Sequence, residues 1–409
     1  MADGAAGGAA GGAGGVGGIL PAMPAPKPGG FLARLSDRYA AWRNSVVRSP
    51  AFQRHCARNP LLRPIANREA RALFDLTAGF VYSQVLLAML RLGLLEALED
   101  GPASTAVLAD GANLGAEPTA RLLEGAAALG LIEPAAAGPE GEARWRLAMS
   151  GAALLANAGV VAMIRHHDML YRDVAEPEAL LRGETDPEIG RFWAYARDPG
   201  GQAGLSQRLP AEAVGAYSEL MAASQAFIAE DVLDRLPLHR YRRLLDIGGG
   251  EGAFLMAAAA RAPALELRLF DLPAVAARAQ ARFEAAGLGT RAAAHGGDFF
   301  ADPLPEGADA VSLVRVLYDH DDAFALAILG RARAALPPGG TLILAEPMAG
   351  LAGAGRVGAY FSFYLMAMGS GRARRPEELI ALAEAAGFRD LRRHRTARPM
   401  LTGLITGRA

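Results

Sequence analysis

From Tyr241 to the C-terminus, short apolar runs alternate with longer stretches in which apolar residues recur every three or four positions. The runs are LLDIG, LRLFDL, AVSLVRVL and TLILAEP, and the stretches between them are AFLMAAAARAP, VAARAQARFEAAG and AFALAILGRARAAL. A continuous apolar run suits a strand covered on both faces, and a period near 3.6 suits a helix lying on it. Strands alternating with helices predict an α/β domain with a parallel, doubly wound sheet. Ligands of such a sheet bind at the carboxyl ends of its strands.

Upstream, the pattern is mostly helical. LFDLTAGFVYSQVLLAMLRLGLLEAL reads as a long helix broken near Gly93. STAVLADGANLGAEPTARLLEGAAALGLIEP reads as two short helices and an extended segment, and ARWRLAMSGAALL as a strand and another helix. Helix, turn, helix and a small wing make a winged-helix pattern. A helix that reads DNA carries basic and amide side chains. PTARLLEGAAALG has one arginine, so dimerisation is expected here and not nucleic-acid binding. Residues 156–240 read as helical and irregular. MIRHHDMLYRDV and GRFWAYARDPG are candidates to face a substrate or partner, and AYSELMAASQAFIAEDVL is an amphipathic helix leading into the next domain.

Composition narrows the picture. The 409 residues carry a formal net charge of −1, which gives no global attraction to nucleic acid or anionic surfaces. A single cysteine, Cys56, excludes an internal disulfide framework and any multi-cysteine zinc site. Residues 1–30 are rich in Gly, Ala and Pro and are expected to be a disordered tail. A helical N-terminal region over 31–205 and a ligand-binding domain over 206–409 complete the division. No stretch is expected to span a membrane. Residues 31–72 are locally basic, with nine arginines against Asp37 and Glu69. Leu35, Tyr39, Trp42 and Val46 recur there at helical spacing. Two readings stand: a helix lying on an anionic membrane surface, or a dimer arm with a solvated basic side.

The segment LLDIGGGEGAF is a strand running into a glycine-rich turn and a helix. Such a loop alone is weak, because nicotinamide cofactors use similar ones. Asp246 precedes the glycines, where a carboxylate can hold an ammonium or sulfonium group. The pattern D-x-G-G-G-x-G also differs from G-x-G-x-x-G. Asp271, in FDLP, ends the second strand, where an acid accepts from ribose hydroxyls. Asp298 and Phe299, in GDFF, form a third strand end, with an acid and a flat ring suited to adenine.

Three acids on successive strand ends resemble a class I S-adenosylmethionine-dependent methyltransferase of Rossmann-like fold. With the winged-helix module, the chain resembles the caffeate/flavonoid and acetylserotonin O-methyltransferase family. The motifs are LLDIGGGEG, FDLP, GDFF, RVLYDHDD, LPPGGTLILAEP and EAAGF, and the likeness covers about residues 73–409. It implies S-adenosylmethionine as cofactor, no metal, and a homodimer whose N-terminal domain contributes to the partner's substrate pocket. It implies that Gly248, Asp271, Asp298, Phe299 and Arg315 contact the cofactor, beside Asp246 and Gly250 of the glycine-rich turn.

In that family the segment after the fourth strand usually reads R-x-L-H-D-W-x-D, and its His is the general base. Here the segment is LVRVLYDHDD: Tyr318 stands at the His position and His320 at the Trp position. Glu346 matches a family acid, whereas Ala373 replaces a second one. A phenol near pKa 10 can be deprotonated with an imidazole's help, but an aliphatic alcohol cannot be stripped outright. Catalysis of the latter rests on holding its oxygen in line with the methyl group. Tyr318 is the candidate to orient the hydroxyl, and His320 the candidate to accept its proton. These departures, with AYFSFYLMAMGSGRARRPEEL and MIRHHDMLYRDVAEPEALLRG, resemble the bacterial carotenoid hydroxyl methyltransferases of the demethylspheroidene/hydroxyneurosporene type. They imply a tertiary alcohol on an acyclic carotenoid as acceptor, with Tyr360, Phe361, Phe363, Tyr364, Met366 and Met368 as pocket candidates. A small phenol, a bacteriochlorophyll carbon acceptor and a cofactor-sensing regulator are the competing readings. A cytoplasmic protein, peripheral on the inner or intracytoplasmic membrane, is the expected location.

Overall fold

A computed structural model of the protein describes residues 31–192 and 225–409. The expected tail, most of GRFWAYARDPG, the start of AYSELMAASQAFIAEDVL and the expected boundary at 205/206 lie outside the described residues. The chain divides into two compact units between Gly151 and Ala152, earlier than that expected boundary.

The first unit opens with helices α1 (Phe31–Arg48), α2 (Pro50–Arg58) and α3 (Arg63–Arg91). Helix α3 ends where Gly93 turns left-handed (φ 65°). There follow β1 (Ala103–Ser104), α4 (Thr105–Gly111), α5 (Ala116–Ala128), β2 (Ile132–Pro134), β3 (Arg144–Leu147) and α6 (Met149–Leu155), the last crossing the division. Ser104 caps α4 by accepting from the Val107 amide at 3.3 Å. Strands β2 and β3 are the expected wing, and β1 adds a third antiparallel strand beside β3. Leu87, Leu90, Leu94, Leu108, Leu123 and Ile132 are buried in this unit.

Helix α3 corrects one expectation. By length and composition it is apolar enough to cross a membrane, with hydropathy 1.6 over its most apolar window. Scattered polar residues such as Asp75, Thr77 and Ser83 hide this in the sequence. Its C-terminal end joins the core through Leu87, Met89 and Leu90, while Leu73, Phe74, Leu76 and Phe80 stay exposed.

The second unit begins with α7 (Ala158–Asp173), α8 (Pro177–Arg182) and α9 (Glu188–Phe192), then a helix described over 225–233, here α10. The alternation follows: β4 (Arg243–Ile247), α11 (Ala253–Arg261), β5 (Glu266–Asp271), α12 (Pro273–Ala285), β6 (Ala292–Gly296), β7 (Ala310–Val314), α13 (Asp322–Ala334) and β8 (Thr341–Glu346). Helices α14 (Ala354–Met368) and α15 (Pro376–Ala385) and strands β9 (Arg389–His394) and β10 (Gly403–Arg408) complete it. Helices α7, α8 and α9 contact α14, which is why they belong with this unit and not with the N-terminal region.

The sheet runs β6-β5-β4-β7-β8-β10-β9, with β4 to β8 mutually parallel as expected. Strand β10 is antiparallel to both neighbours, so the sheet is mixed. The period of two splits the apolar runs between two helical layers. Leu244, Leu267 and Leu269 pack with Phe254, Leu255, Ala279 and Phe283 on one face. Leu245, Ile247, Val311 and Leu313 pack with Ile328, Leu329, Leu379 and Phe388 on the other. The chain order reverses between β4 and β7, which opens the crevice where such sheets bind ligands.

Phe283 shows how this core sets the crevice. Its fully buried ring lies where a Cβ on Gly252 would come within 2.5 Å, so it backs the glycine-rich turn directly. Phe283→Ala is expected to cost about 3–5 kcal/mol and to lower the urea midpoint of the full-length chain. A midpoint unchanged from wild type would contradict this packing.

Candidate active site

Three strand ends build one side of the crevice. At the end of β4, Asp246 is buried beneath the glycine turn, and its Oδ1 accepts from the Ser312 hydroxyl of β7 at 2.6 Å. Its Oδ2 has no partner among the described residues and lies 2.7 Å from where a Cβ on Gly249 would stand. Burial raises this carboxyl to about 7, opposed by the Ser312 bond and reinforced by the charge of Asp271. Gly248 adopts φ 68°, and a Cβ there would meet Val316 at 2.9 Å, so only glycine lets the two strand ends close together.

Asp271, at the end of β5, accepts from the Gly250 amide at 2.8 Å and the Leu272 amide at 2.7 Å. It therefore ties the glycine turn to its own strand. Burial raises it to about 6 against those two bonds and Arg278. Asp298, after β6, accepts from the Phe300 amide at 2.8 Å and shapes a tight turn. That turn presents Phe299, whose ring lies 4.7 Å from Phe300 and 5.8 Å from His320, both edge-on.

The other side is the turn after β7. Arg315 has φ 59°, a conformation non-glycine residues adopt only under strong constraint. Its charge acts on Tyr318, Asp319 and Tyr364, so it faces that side. A short 3-10 turn, Leu317–Asp319, buries Leu317, Tyr318 and Asp319. Glu346, at the end of β8, accepts from the Val316 amide at 3.0 Å and the Leu317 amide at 2.7 Å. Burial raises Glu346 to about 7 despite those bonds. Burial, then the charge of Glu346, pushes Asp319 well above the carboxylate range. Two buried carboxyls thus compete for ionisation behind Tyr318.

A strap from the end of α14 holds this turn from outside. Arg374 is fully buried and donates to the carbonyls of Leu317 and His320, each at 2.7 Å, and to Asp322 at 2.7 Å. Ser370 donates to the Asp319 carbonyl at 2.6 Å, and the Arg372 amide to the Tyr318 carbonyl at 2.9 Å. Gly371 runs so close that a Cβ would overlap the Tyr318 carbonyl oxygen.

The two residues expected to share the acceptor hydroxyl point different ways. Tyr318 lies edge-on to Phe361 of α14, 6.5 Å away, and burial pushes its phenol well above the usual value. His320 packs edge-on against Phe299 and Phe300 instead. Burial and then Arg374 lower it to about 4, so it is neutral at pH 7. Beyond the 3-10 turn, His320 is already extended (φ −117°, ψ 154°), which swings it off the Tyr318 side. Glu346, expected to be catalytic, is engaged with the turn's backbone. Of the pocket candidates on α14, Tyr364 and Met368 are core, Tyr360, Phe361 and Met366 are half-buried, and Phe363 is exposed.

Sequence reasoning missed Ser312 and assigned no role to Asp319, Gly371, Arg374 or His167. Arg374 was hidden among three arginines in RARR, in a chain rich in arginine. His167 lies in MIRHHDMLYRDV, a segment expected to face a substrate or partner but in which no single residue was assigned a role. It bonds the Tyr360 hydroxyl at 2.8 Å.

The residues fit S-adenosylmethionine. The unpartnered oxygen of Asp246 suits a cationic amino-acid moiety, Asp271 retains lone pairs at a strand end for ribose hydroxyls, and Phe299 offers a flat face. The comparisons agree. Residues 198–389 match the O-methyltransferase domain, and residues 74–157 match the O-methyltransferase dimerisation domain. Demethylspheroidene O-methyltransferase of Cereibacter sphaeroides is 44% identical over 387 residues, 94% of this chain and 97% of that one. Its Rhodobacter capsulatus counterpart is 43% identical over 85% of this chain and 84% of its own. Human N-acetylserotonin methyltransferase in complex with S-adenosylmethionine shares the fold, with a TM-score of 0.70 at 24% identity over 83% of this chain and 97% of that one. A crevice built for a sulfonium cofactor and a full-length match to O-methyltransferases lead to one conclusion: this chain belongs to the S-adenosylmethionine-dependent O-methyltransferase family and carries that family's dimerisation domain.

Proposed function

We propose that the acceptor is the tertiary C1 hydroxyl of an acyclic hydroxycarotenoid of the demethylspheroidene/hydroxyneurosporene type. The observation that carries this reading is the 44% identity to a demethylspheroidene O-methyltransferase over nearly the whole of both chains. The site chemistry supports it. A tyrosine whose phenol is held neutral stands where a phenol-methylating enzyme has its histidine. Apolar and aromatic groups of α7 and α14, including Met169, Leu170, Phe361, Leu365 and Met368, line the Tyr318 side.

S-adenosylmethionine, when bound, supplies a methyl group made electrophilic by its sulfonium sulfur. Asp246, Asp271 and Phe299 would hold it, and His320 would back Phe299. The protein's task is then to hold a weakly acidic hydroxyl in line while its proton departs late. The strap and Glu346 fix the Tyr318 turn for that purpose, and burial keeps water away from it.

The same reading extends to dimerisation and location. The exposed apolar face of α3 around Phe74, Leu76 and Phe80 lies in and beside the dimerisation domain, which makes a second copy its natural cover. Upstream, α1 exposes Phe31, Leu35 and Trp42 together with Arg34, Arg38 and Arg48. Such a surface suits an anionic bilayer at the cytoplasmic face, where a carotenoid dissolves.

The deciding assay follows label from S-adenosylmethionine into a detergent-dispersed 1-hydroxycarotenoid, with caffeate and a bacteriochlorophyllide in parallel. Label in the carotenoid is expected, and label only in caffeate or the bacteriochlorophyllide would overturn the acceptor. Cofactor binding has its own pH signature. Asp246 stays protonated up to about pH 7, and the cationic cofactor favours its ionised form. Affinity by calorimetry should therefore rise from pH 6 to pH 8 and then level, with a limiting slope of about tenfold per unit. Asp246→Asn should bind weakly with that slope reduced, and an unchanged slope would remove Asp246 from the cofactor's charge. For the membrane, flotation with phosphatidylglycerol vesicles should carry the wild type and release it in high salt, whereas pure phosphatidylcholine should not. If Arg38→Glu/Arg48→Glu floats normally but loses dimer on gel filtration, α1 is a dimer arm instead.

A further inference from the structure

On the Tyr318 side, α7 and α14 bring a histidine and a tyrosine hydroxyl together. His167 of α7 and Tyr360 of α14 are 193 positions apart, yet the His167 Nε2 and the Tyr360 hydroxyl are 2.8 Å apart. The two rings lie 5.6 Å apart, and Tyr171 stands edge-on to His167 at 5.7 Å. The buried Tyr171 hydroxyl has no partner among the described residues. Around these groups the wall is apolar: Met169, Leu170, Val174, Leu365 and Met368. From Tyr360 the aromatic contacts continue to Phe361 at 5.2 Å and Tyr364 at 6.1 Å, and Phe361 meets Tyr318. The pair therefore shares a wall with the residue that replaces the family's base.

A buried hydroxyl in an apolar wall is costly unless bonded, so the bond between His167 and Tyr360 is retained strongly. It also poses the pair for proton transfer. Burial, then His166, lowers His167 to about 4, so its ring is uncharged at neutral pH and open to a proton. Burial, then Tyr364 and Tyr171, raises Tyr360, so the phenol stays intact as donor and acceptor. In the tautomer with its proton on Nδ1, His167 accepts from Tyr360, whose oxygen keeps lone pairs for a second hydroxyl.

We propose that Tyr360 binds the acceptor hydroxyl and relays its proton to His167, which serves as the base that Tyr318 cannot be. The inference rests on the aliphatic-alcohol reading above. As the acceptor oxygen bonds to the methyl carbon, the sulfur–methyl bond breaks and its electron pair stays on sulfur. The acceptor's O–H bond breaks, its proton passes to the Tyr360 oxygen, and the proton of Tyr360 passes to Nε2 of His167. The imidazolium then discharges to solvent, leaving ether, thioether and one released proton. A base of low proton affinity suffices, because an oxygen already bonding to methyl is a strong acid.

The test compares the full-length wild type with His167→Ala, His167→Gln and Tyr360→Phe. Steady-state turnover of the hydroxycarotenoid, carotenoid binding by its absorption shift, and circular dichroism are read for each. His394→Ala, which removes a histidine–hydroxyl bond to Thr406 on the outer strands, is the control. Each pair variant should keep its fold and bind carotenoid within about threefold, while kcat falls about 100-fold or more. Added imidazole should restore His167→Ala at least about tenfold and leave Tyr360→Phe unchanged, a rescue that a packing role does not give. Turnover within twofold of wild type in either pair variant would overturn the relay, as would loss confined to KM with kcat intact. If the wild type leaves the carotenoid unlabelled, the acceptor reading fails separately, and the same variants on the acceptor it does methylate decide the relay.

Discussion

The site depends on a backbone turn that is buried and therefore must be hydrogen-bonded from all sides. Between the end of β7 and the start of α13, the chain reverses without the regular ladder that would satisfy its polar groups. Glu346 takes two of its amides, and Arg374 and Ser370 donate to three of its carbonyls. Arg374 is suited to this because a planar guanidinium offers several donors in a fixed fork. Gly371 lets the strap approach where any side chain would collide with the turn. Tyr318, Asp319 and His320 owe their directions to this clamp, as the regular elements on either side do not specify them.

The same burial that fixes the turn governs its electrostatics. Asp246, Asp271 and Glu346 are all held above the ordinary carboxylate range by desolvation, and Asp319 further still. On the cofactor side, a raised carboxyl is primed to ionise when a cation arrives. On the Tyr318 side, burial favours the neutral forms of the Asp319 carboxyl and the Tyr318 and Tyr364 phenols, beside the charge of Arg315. One crevice therefore has ionisable strand-end carboxyls on one side and apolar and aromatic groups around Tyr318 on the other. The histidines follow the same logic in the opposite sense. Burial leaves His167 and His320 neutral, so neither depends on the usual imidazole titration near neutral pH.

Much of the fold was legible. LLDIG, LRLFDL, AVSLVRVL and TLILAEP are strands because apolar runs of that length fit only a sheet covered on both faces. Gly248, Gly250 and Gly252 after Asp246 adopt the left-handed conformations that the turn requires. Strands β9 and β10 were not legible. RDLRRH is a charged edge strand with no apolar run, and GLITGR is short and takes its place by pairing with β8. Helix α3 was misjudged because a few polar residues broke its apolar run to the eye.

By itself, the sequence determined the alternation of strands and helices from β4 to β8, the acids at three strand ends and the glycine turn beside them. These are local: each follows from period, turn chemistry and the strand end on which a residue falls. It also determined which family groups were replaced, since Tyr318 and Ala373 stand at recognisable positions of a motif. Only the tertiary structure decided where those side chains point. Tyr318 and His320 are two residues apart, yet a 3-10 turn followed by an extended residue sends them to different sides of the crevice. The bonds of Arg374 to the turn and of His167 to Tyr360 join residues 52 to 57 and 193 positions apart. No periodicity or spacing encodes such pairs, because the packing of α7, α14 and the strap on the sheet creates them.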